Sequence, residues 1–222
     1  MCLKSIDKLS VPTFTSGMAR GCFGSSDKYF FRHNRKHALK NADVVVTLGV
    51  PLDFRLGYGF SISKDATLIS INKSKEDLNK NRKPDIGMHA DPSRIMHEIG
   101  KIINPPSCQT WIEELTKLEE NRENEIQQFS ELKTDFVNPV YLCKTIDQLI
   151  DEQSVLIADG GDFVGTASYT VRPRNPLGWL DPGPFGTLGV GGGFAIGAKS
   201  SFPEKEVWAV SYTHLRAHET SG

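Results

Sequence analysis

Ser154-Val155-Leu156-Ile157-Ala158-Asp159-Gly160-Gly161-Asp162-Phe163 is the stretch whose reading decides the fold. Its apolar, β-branched part is short and reads as a buried strand. The glycine pair at the carboxyl end of that strand lets the backbone come close to a ligand, and a helix over 163–171 would turn its free N–H groups toward an anion. Further on, Gly183-Pro184-Phe185-Gly186-Thr187-Leu188-Gly189 runs into Gly191-Gly192-Gly193-Phe194-Ala195-Ile196-Gly197-Ala198. That second stretch predicts a loop leading into a small-residue helix able to lie flat against a bound molecule.

Working outward, the same alternation of strand and helix fills the rest of the chain. Strands are expected at Val11–Thr15, Val44–Leu48, Ala66–Ile71, Ile86–Ala90 and Glu206–Val210. Helices are expected at Asn34–Lys40, Ser74–Asn79 and Pro92–Ile103, the last with proline in its first turn. Asn104-Pro105-Pro106-Ser107 interrupts the pattern. A charged helix, roughly Thr110–Leu132, follows with Trp111, Leu115 and Leu118 at helical spacing, and reads as a largely solvated linker. Asn138-Pro139 then opens a new helix with a capping residue followed by proline. The fold class is α/β, built as two parallel-sheet units. The expected divisions are 1–104, a linker helix at 105–137, a second α/β unit at 138–210, and a tail at 211–222.

Composition excludes several function classes. A net charge of −1 over 222 residues offers no basic field for nucleic acid. Cys2, Cys22, Cys108 and Cys143 are scattered without zinc or disulfide spacing. No apolar run approaches the ~20 residues of a membrane span, and no basic-then-apolar signal opens the chain. His33 and His37 stand at i,i+4, as do His214 and His218, but neither pair has an evident third ligand, so surface histidines are expected.

The glycine motifs have plainer readings too. A Gly-Gly after a strand is most often only a tight turn into a helix. Gly189-Val190-Gly191-Gly192-Gly193 fails the dinucleotide fingerprint, because Phe194 and Ile196 stand where the third glycine is required. An aspartyl phosphatase would need a second aspartate two residues after Asp162, where Val164 stands.

Strand, glycine turn, Gly-Thr-Leu-Gly loop and glycine-rich helix together resemble the cofactor half of thiamine-diphosphate enzymes. That family includes acetolactate synthase, oxalyl-CoA decarboxylase and 2-hydroxyacyl-CoA lyase, and the likeness is strongest to the acetolactate synthase-like 2-hydroxyacyl-CoA lyases of animals. The resemblance implies a diphosphate-contacting turn at Gly161, Asp162 and Phe163. It further implies that Gly186, Thr187 and Leu188 meet the cofactor rings, Gly186 through its carbonyl and Leu188 as an apolar wedge. Asp162 is an unexpected neighbour for a diphosphate on Coulomb grounds. Ala42–Arg55 is similar to the family's central, nucleotide-binding-like domain, which holds FAD in some members and ADP or CoA in others. Arg55 is the possible nucleotide contact there, and Asn72 stands where an acidic ribose partner is usual.

By the same resemblance the intact protein would use thiamine diphosphate and Mg2+. It would act on an acyl-CoA-type substrate, cleaving a 2-hydroxyacyl-CoA to an aldehyde and formyl-CoA. It would be a homodimer or homotetramer at the endoplasmic reticulum membrane, with its anchor outside this chain. Acetolactate synthase-like carboligation, or a catalytically inactive nucleotide- or subunit-binding role, are the alternatives. After Val210 the family continues into a magnesium-ligating Gly-Asp-Gly, whereas here Ser211–Gly222 has no such motif and reads as an artefactual tail. The chain is therefore expected to be a fragment without metal ligands or catalytic base, inactive by itself, and cytoplasmic if real as written.

Overall fold

The computed structural model describes residues 2–23, 27–104 and 107–211. The His214–His218 pair and the tail after Ser211 lie outside these residues, as do Pro105 and Pro106 of the interruption. The chain forms two compact units. One takes the residues up to Thr13 with His33–Glu119, and the other takes Phe14–Arg32 with the residues from Glu120 onward.

The first unit opens with α1 (Cys2–Leu9); the short ribbon of β1 (Thr13–Phe14) and β2 (Phe30–Phe31) falls with the second unit from Phe14 on, and the first unit resumes at His33. Then come α2 (Arg35–Asn41), β3 (Val44–Leu48), β4 (Thr67–Asn72), α3 (Lys75–Leu78), β5 (Ile86–His89) and α4 (Pro92–Ile102). Strands β3, β4 and β5 form a parallel sheet with β4 central, Val46 facing Ile69 and Ile71 facing Met88. The caps are those the sequence advertises: Ser74 accepts from Asp77 N–H to start α3, and Asp91 accepts from Ser93 N–H ahead of Pro92. Val45, Leu52, Leu56, Ile62, Ala66 and Leu68 make one core cluster. Helices α1 and α4 pack so closely that a Cβ at Gly100 would come within 2.8 Å of the Ser5 Cβ.

Helix α5 (Gln109–Ser130) carries the boundary between the units. Most of its residues are exposed, as its charge suggests. Ile112, Leu115 and Ile126 are buried, the last two almost completely, so a sparse apolar stripe still anchors the helix.

The second unit continues with α6 (Pro139–Leu149), β6 (Val155–Ala158), α7 (Asp162–Thr170), β7 (Trp179–Leu180), α8 (Gly191–Ser201) and β8 (Val207–Val210). The three strands are parallel in the order β7-β6-β8. All four residues of β6 are buried, which is why the strand reads as a continuous apolar run rather than an alternation. Leu156 and Ala158 face Cys143 and Ile146 of α6 and Ala167 of α7, around the fully buried Trp179. Val155 and Ile157 pack on the other side against Ala195 and Ala198 of α8. Strand β7, only two residues long, gave no periodicity to find. Cys143 is a buried thiol that burial pushes up to about 11, which suits an inert packing group. Among the described residues no helix is long and apolar enough to cross a membrane.

A kinked stretch of 3-10 turns, Phe54–Gly59, follows β3, with Gly57 and Tyr58 at positive φ. Asp53 starts it and is itself buried. Its carboxylate takes Arg55 Nη2 at 2.6 Å and Arg55 Nε at 3.1 Å, together with the Arg55 amide at 3.0 Å. Burial opposes the charged form, but the hydrogen bonds from Arg55 outweigh it and hold the carboxyl below its usual value. A carboxyl depressed in this way stabilises fully above its unfolded pKa of about 3.9, and its contribution is lost as pH falls through the lower folded value. Asp53→Asn should therefore destabilise the chain by about 1–3 kcal/mol at pH 6. Thermal midpoints measured from pH 6 down to pH 2 should show this gap closing on acidification.

Candidate functional site

Strand β6 is the point at which the connections of its sheet reverse. The path β6–α7–β7 leaves to one side of it. The path β7–α8–β8 crosses back to the other, so α7 and α8 cover opposite faces. The crevice beyond the carboxyl end of such a strand is where open α/β sheets receive ligands.

The turn after β6 and the loop before α8 meet in this crevice. A Cβ on Gly160 would lie 2.6 Å from the Thr187 carbonyl oxygen, 2.8 Å from that of Gly186 and 3.0 Å from Leu188 Cδ2. Only a residue without a side chain lets the two segments come this close. Gly161 follows with φ +79° and precedes α7, whose amino end has no side-chain cap. Uncapped N–H groups at an exposed glycine turn, carrying the positive end of the helix dipole, are suited to an anion. Gly186 adopts φ +60° and ψ 23° at the end of the 3-10 turn Gly183–Phe185, and a Cβ there would meet nothing. Leu188 is 46% exposed, an apolar side chain standing beside open glycine backbone.

The electrostatic centre of the crevice is Asp159, quoted in the motif but given no role by the sequence. It is 1% exposed. Its carboxylate accepts from the amides of Gly160 (2.8 Å), Gly189 (3.1 Å), Val190 (3.3 Å) and Gly191 (3.2 Å), and from Ser211 Oγ. Burial would raise its pKa, but the Ser211 hydroxyl and the Gly160, Gly191 and Gly189 amides prevail and hold it below the usual carboxylate range. A signal for this role was present in the sequence. Helix α8 starts at Val190-Gly191, with no Ser, Thr, Asp or Asn to cap it, so its first amides need an acceptor from elsewhere. Asp181 was also missed. It takes the Trp179 indole N–H at 2.7 Å and the Gly183 amide at 2.8 Å, fixing the other end of the loop.

The structure thus brings Gly161, Asp162, Gly186, Thr187 and Leu188 to one crevice. Asp162 is exposed at the first position of α7. Phe163 differs: its ring packs against the core cluster around Trp179, which leaves only its backbone for an anion. Arg55 lies in the first unit with its guanidinium on Asp53, and its carbonyl receives Arg35 Nη2 at 2.9 Å. Asn72, at the end of β4, is buried, with Oδ1 accepting from Ser74 N–H and Nδ2 lacking a partner among the described residues. His33 is buried rather than at the surface, with its amide on Glu119, while His37 bonds Glu114 at 2.8 Å and stacks on Trp111. His37 thus packs its ring against α5.

Comparison with known proteins identifies the family. Residues 2–99 match the family model described as thiamine pyrophosphate enzyme, central domain, and residues 159–211 match the one described as thiamine pyrophosphate enzyme, C-terminal TPP binding domain. The 2-hydroxyacyl-CoA lyase 2 of Danio rerio is 41% identical over 213 residues, covering 93% of this chain and 34% of the relative. The Homo sapiens protein of the same name is 39% identical over 215 residues, with the same coverage. The acetolactate synthase large subunit IlvG of Mycobacterium tuberculosis is 30% identical over 207 residues, covering 92% of this chain and 37% of the relative. The chain spans about a third of the length of the curated relatives it matches. With the first matched segment carrying the first parallel sheet and the second running from the turn after β6 through β8, the chain belongs to the thiamine pyrophosphate enzyme family.

Proposed function

We propose that this chain supplies part of a thiamine-diphosphate-dependent carbon–carbon lyase that cleaves 2-hydroxyacyl-CoA to an aldehyde and formyl-CoA. The observation that carries the reading is the contact of the Asp159–Gly161 turn with the Gly186–Leu188 loop at the carboxyl end of β6. The lyase, rather than the carboligase, is favoured because the relatives named 2-hydroxyacyl-CoA lyase 2 are near 40% identical and the acetolactate synthase 30%.

The residues present fit the cofactor. The uncapped amino end of α7 offers the Gly161, Asp162 and Phe163 amides to a diphosphate. The side chain of Asp162 is exposed, so its charge is screened by water rather than aimed through a low-dielectric medium. Gly186 is left-handed and open in its Cβ direction, and its carbonyl, beside the Gly160 turn, would be the acceptor for an amino group of the ligand. Thr187 stands between Gly186 and Leu188, whose exposed side chain would offer the cofactor an apolar contact. Thiamine diphosphate, when bound, supplies the electron sink for breaking the bond beside the substrate carbonyl. The protein's share is to bend, orient and desolvate what lies in the crevice.

The residues of this crevice do not make a magnesium site. Both oxygens of Asp159 are taken up by hydrogen bonds, and Asp162 is a single exposed carboxylate, whereas Mg2+ demands near-octahedral oxygen ligation. The Mg2+ proposed for the intact protein takes its protein ligands from other residues. Assembly as a homodimer or homotetramer, and residence at the endoplasmic reticulum membrane, belong to the same proposal.

The direct test exchanges residues 2–210 into the Danio rerio relative in place of the aligned segment and follows formyl-CoA and aldehyde release from a 2-hydroxyacyl-CoA. Retained cleavage supports the lyase reading; carboligation of two 2-oxoacids without cleavage overturns it. In that protein Leu188→Ala should lower turnover at least tenfold while changing the thiamine diphosphate dissociation constant less than about threefold, as expected for a group that shapes the bound ligand. Equal turnover with Leu or Ala would remove Leu188 from its assigned role. Gly160→Ala should push the Gly186–Leu188 loop off the turn, destabilising by about 1–3 kcal/mol and weakening thiamine diphosphate at least tenfold by calorimetry. Unaltered affinity would show that the contact is not needed.

A further inference from the structure

We propose that Asp159 is the positioning residue of this crevice: from the end of β6 it caps α8 and thereby fixes where Gly186 and Leu188 stand over the turn. The idea rests on the cofactor reading for its use, but on geometry alone for its existence. It starts from a deficit. A helix exposes its first amides without partners, and α8 has Val190 at the capping position, which offers no side-chain acceptor. The missing acceptor comes from 31 residues upstream, where Asp159 takes the Val190 amide while also taking those of Gly189 and Gly191.

Two glycines make this possible. A Cβ on Gly191 would lie 3.1 Å from Asp159 Oδ2 and 3.1 Å from Ser211 Cβ, so the helix comes up to the carboxylate as closely as backbone can. Gly160 lets the turn touch the Thr187 and Gly186 carbonyls. One carboxylate therefore joins the turn after β6, the loop before α8 and Ser211, the residue after β8. At the loop's other end the Asp181 carboxylate holds the Gly183 amide. The stretch between Gly183 and Gly189 thus hangs between two carboxylates set at the ends of adjacent strands, and Leu188 is the residue next to the first amide that Asp159 grips. With Asp181 alone, the loop would be fixed at one end and free to swing at the end that carries Leu188.

A merely structural cap and a positioning residue differ in what they move. Loss of a structural cap weakens the unit as a whole. Loss of a positioning residue frees the loop and leaves the sheet intact. The test uses the 222-residue chain, isotope-labelled, with Asp159→Asn and Gly191→Ala. The second variant keeps the carboxylate but crowds it off the helix, and serves where Asp159→Asn does not fold. Two NMR readouts are taken: hydrogen exchange of the Gly189, Val190 and Gly191 amides, and the cross-peak between a Leu188 methyl and Gly160. We expect exchange at the three amides to rise at least about tenfold in Asp159→Asn, and less in Gly191→Ala. The Leu188–Gly160 cross-peak should disappear, with exchange in Val155–Ala158 unchanged. An intact cross-peak in every variant that folds, or a uniform rise in exchange across β6 and α8 alike, overturns the proposal. Neither readout involves thiamine diphosphate. Failure of the cofactor reading would appear in calorimetry and turnover and would leave this result standing, whereas failure here would leave the cofactor reading to its own assays.

Discussion

Strand β6 has no free edge and no free face. It is paired to β7 on one side and β8 on the other, and it is covered by α6 and α7 in front and α8 behind. Every direction open to the chain at the carboxyl end of this strand is thereby fixed except the one leading out of the sheet. That residual direction is where Asp159, Gly160 and Gly161 lie. Burial of the four apolar residues Val155–Ala158 is worth several kcal/mol at roughly 25 cal/mol per Å², and it provides the rigid base on which a carboxylate can be kept dry and ionised.

The two units handle buried charge in contrasting ways. In the first, Asp53 is balanced by a formal cation, the Arg55 guanidinium. In the second, Asp159 has no cation among its hydrogen-bond partners and relies on amide dipoles and a hydroxyl. An ion pair is self-sufficient and can sit on any stable turn. A carboxylate satisfied by backbone amides exists only while a particular backbone geometry is maintained, so its charge and the shape of the loop are one property seen twice.

Much of this was readable in the chain, and for identifiable reasons. Strands β3, β4, β6 and β8 are short apolar runs bounded by polar or glycine residues, and α3, α4 and α6 carry their caps in the sequence as Ser74, Asp91 and Asn138. The meeting of the Gly160 turn with the Gly186 loop was anticipated only through family resemblance, since nothing local says that two glycine segments touch. Asp159 escaped notice because its partners are backbone amides, which no residue letter encodes. Helix α5 is largely exposed as its charges suggest, and its few buried apolar residues include Leu115 of the stripe legible in the sequence. Phe163 is placed at the ligand only by family resemblance, while its ring has a place in the core that only the arrangement of α6 and β7 defines.

The segment Phe14–Arg32 belongs to the second compact unit although it precedes nearly all of the first. It is fastened there by Arg20, which meets Asp181 at 3.6 Å and lies over the Trp179 ring, and by Gly21, where any side chain would overlap the Asn175 carbonyl. The chain must therefore make this segment early and wait for its partners. At about 5–20 residues per second of synthesis the delay is on the order of ten seconds. During that time the first unit can complete its sheet locally, whereas the second cannot finish until the loop of chain enclosing the first has closed. Long-range closure of this kind slows folding more than it affects the final stability. The crevice loop begins beside Asp181, one of the residues to which this segment is fastened.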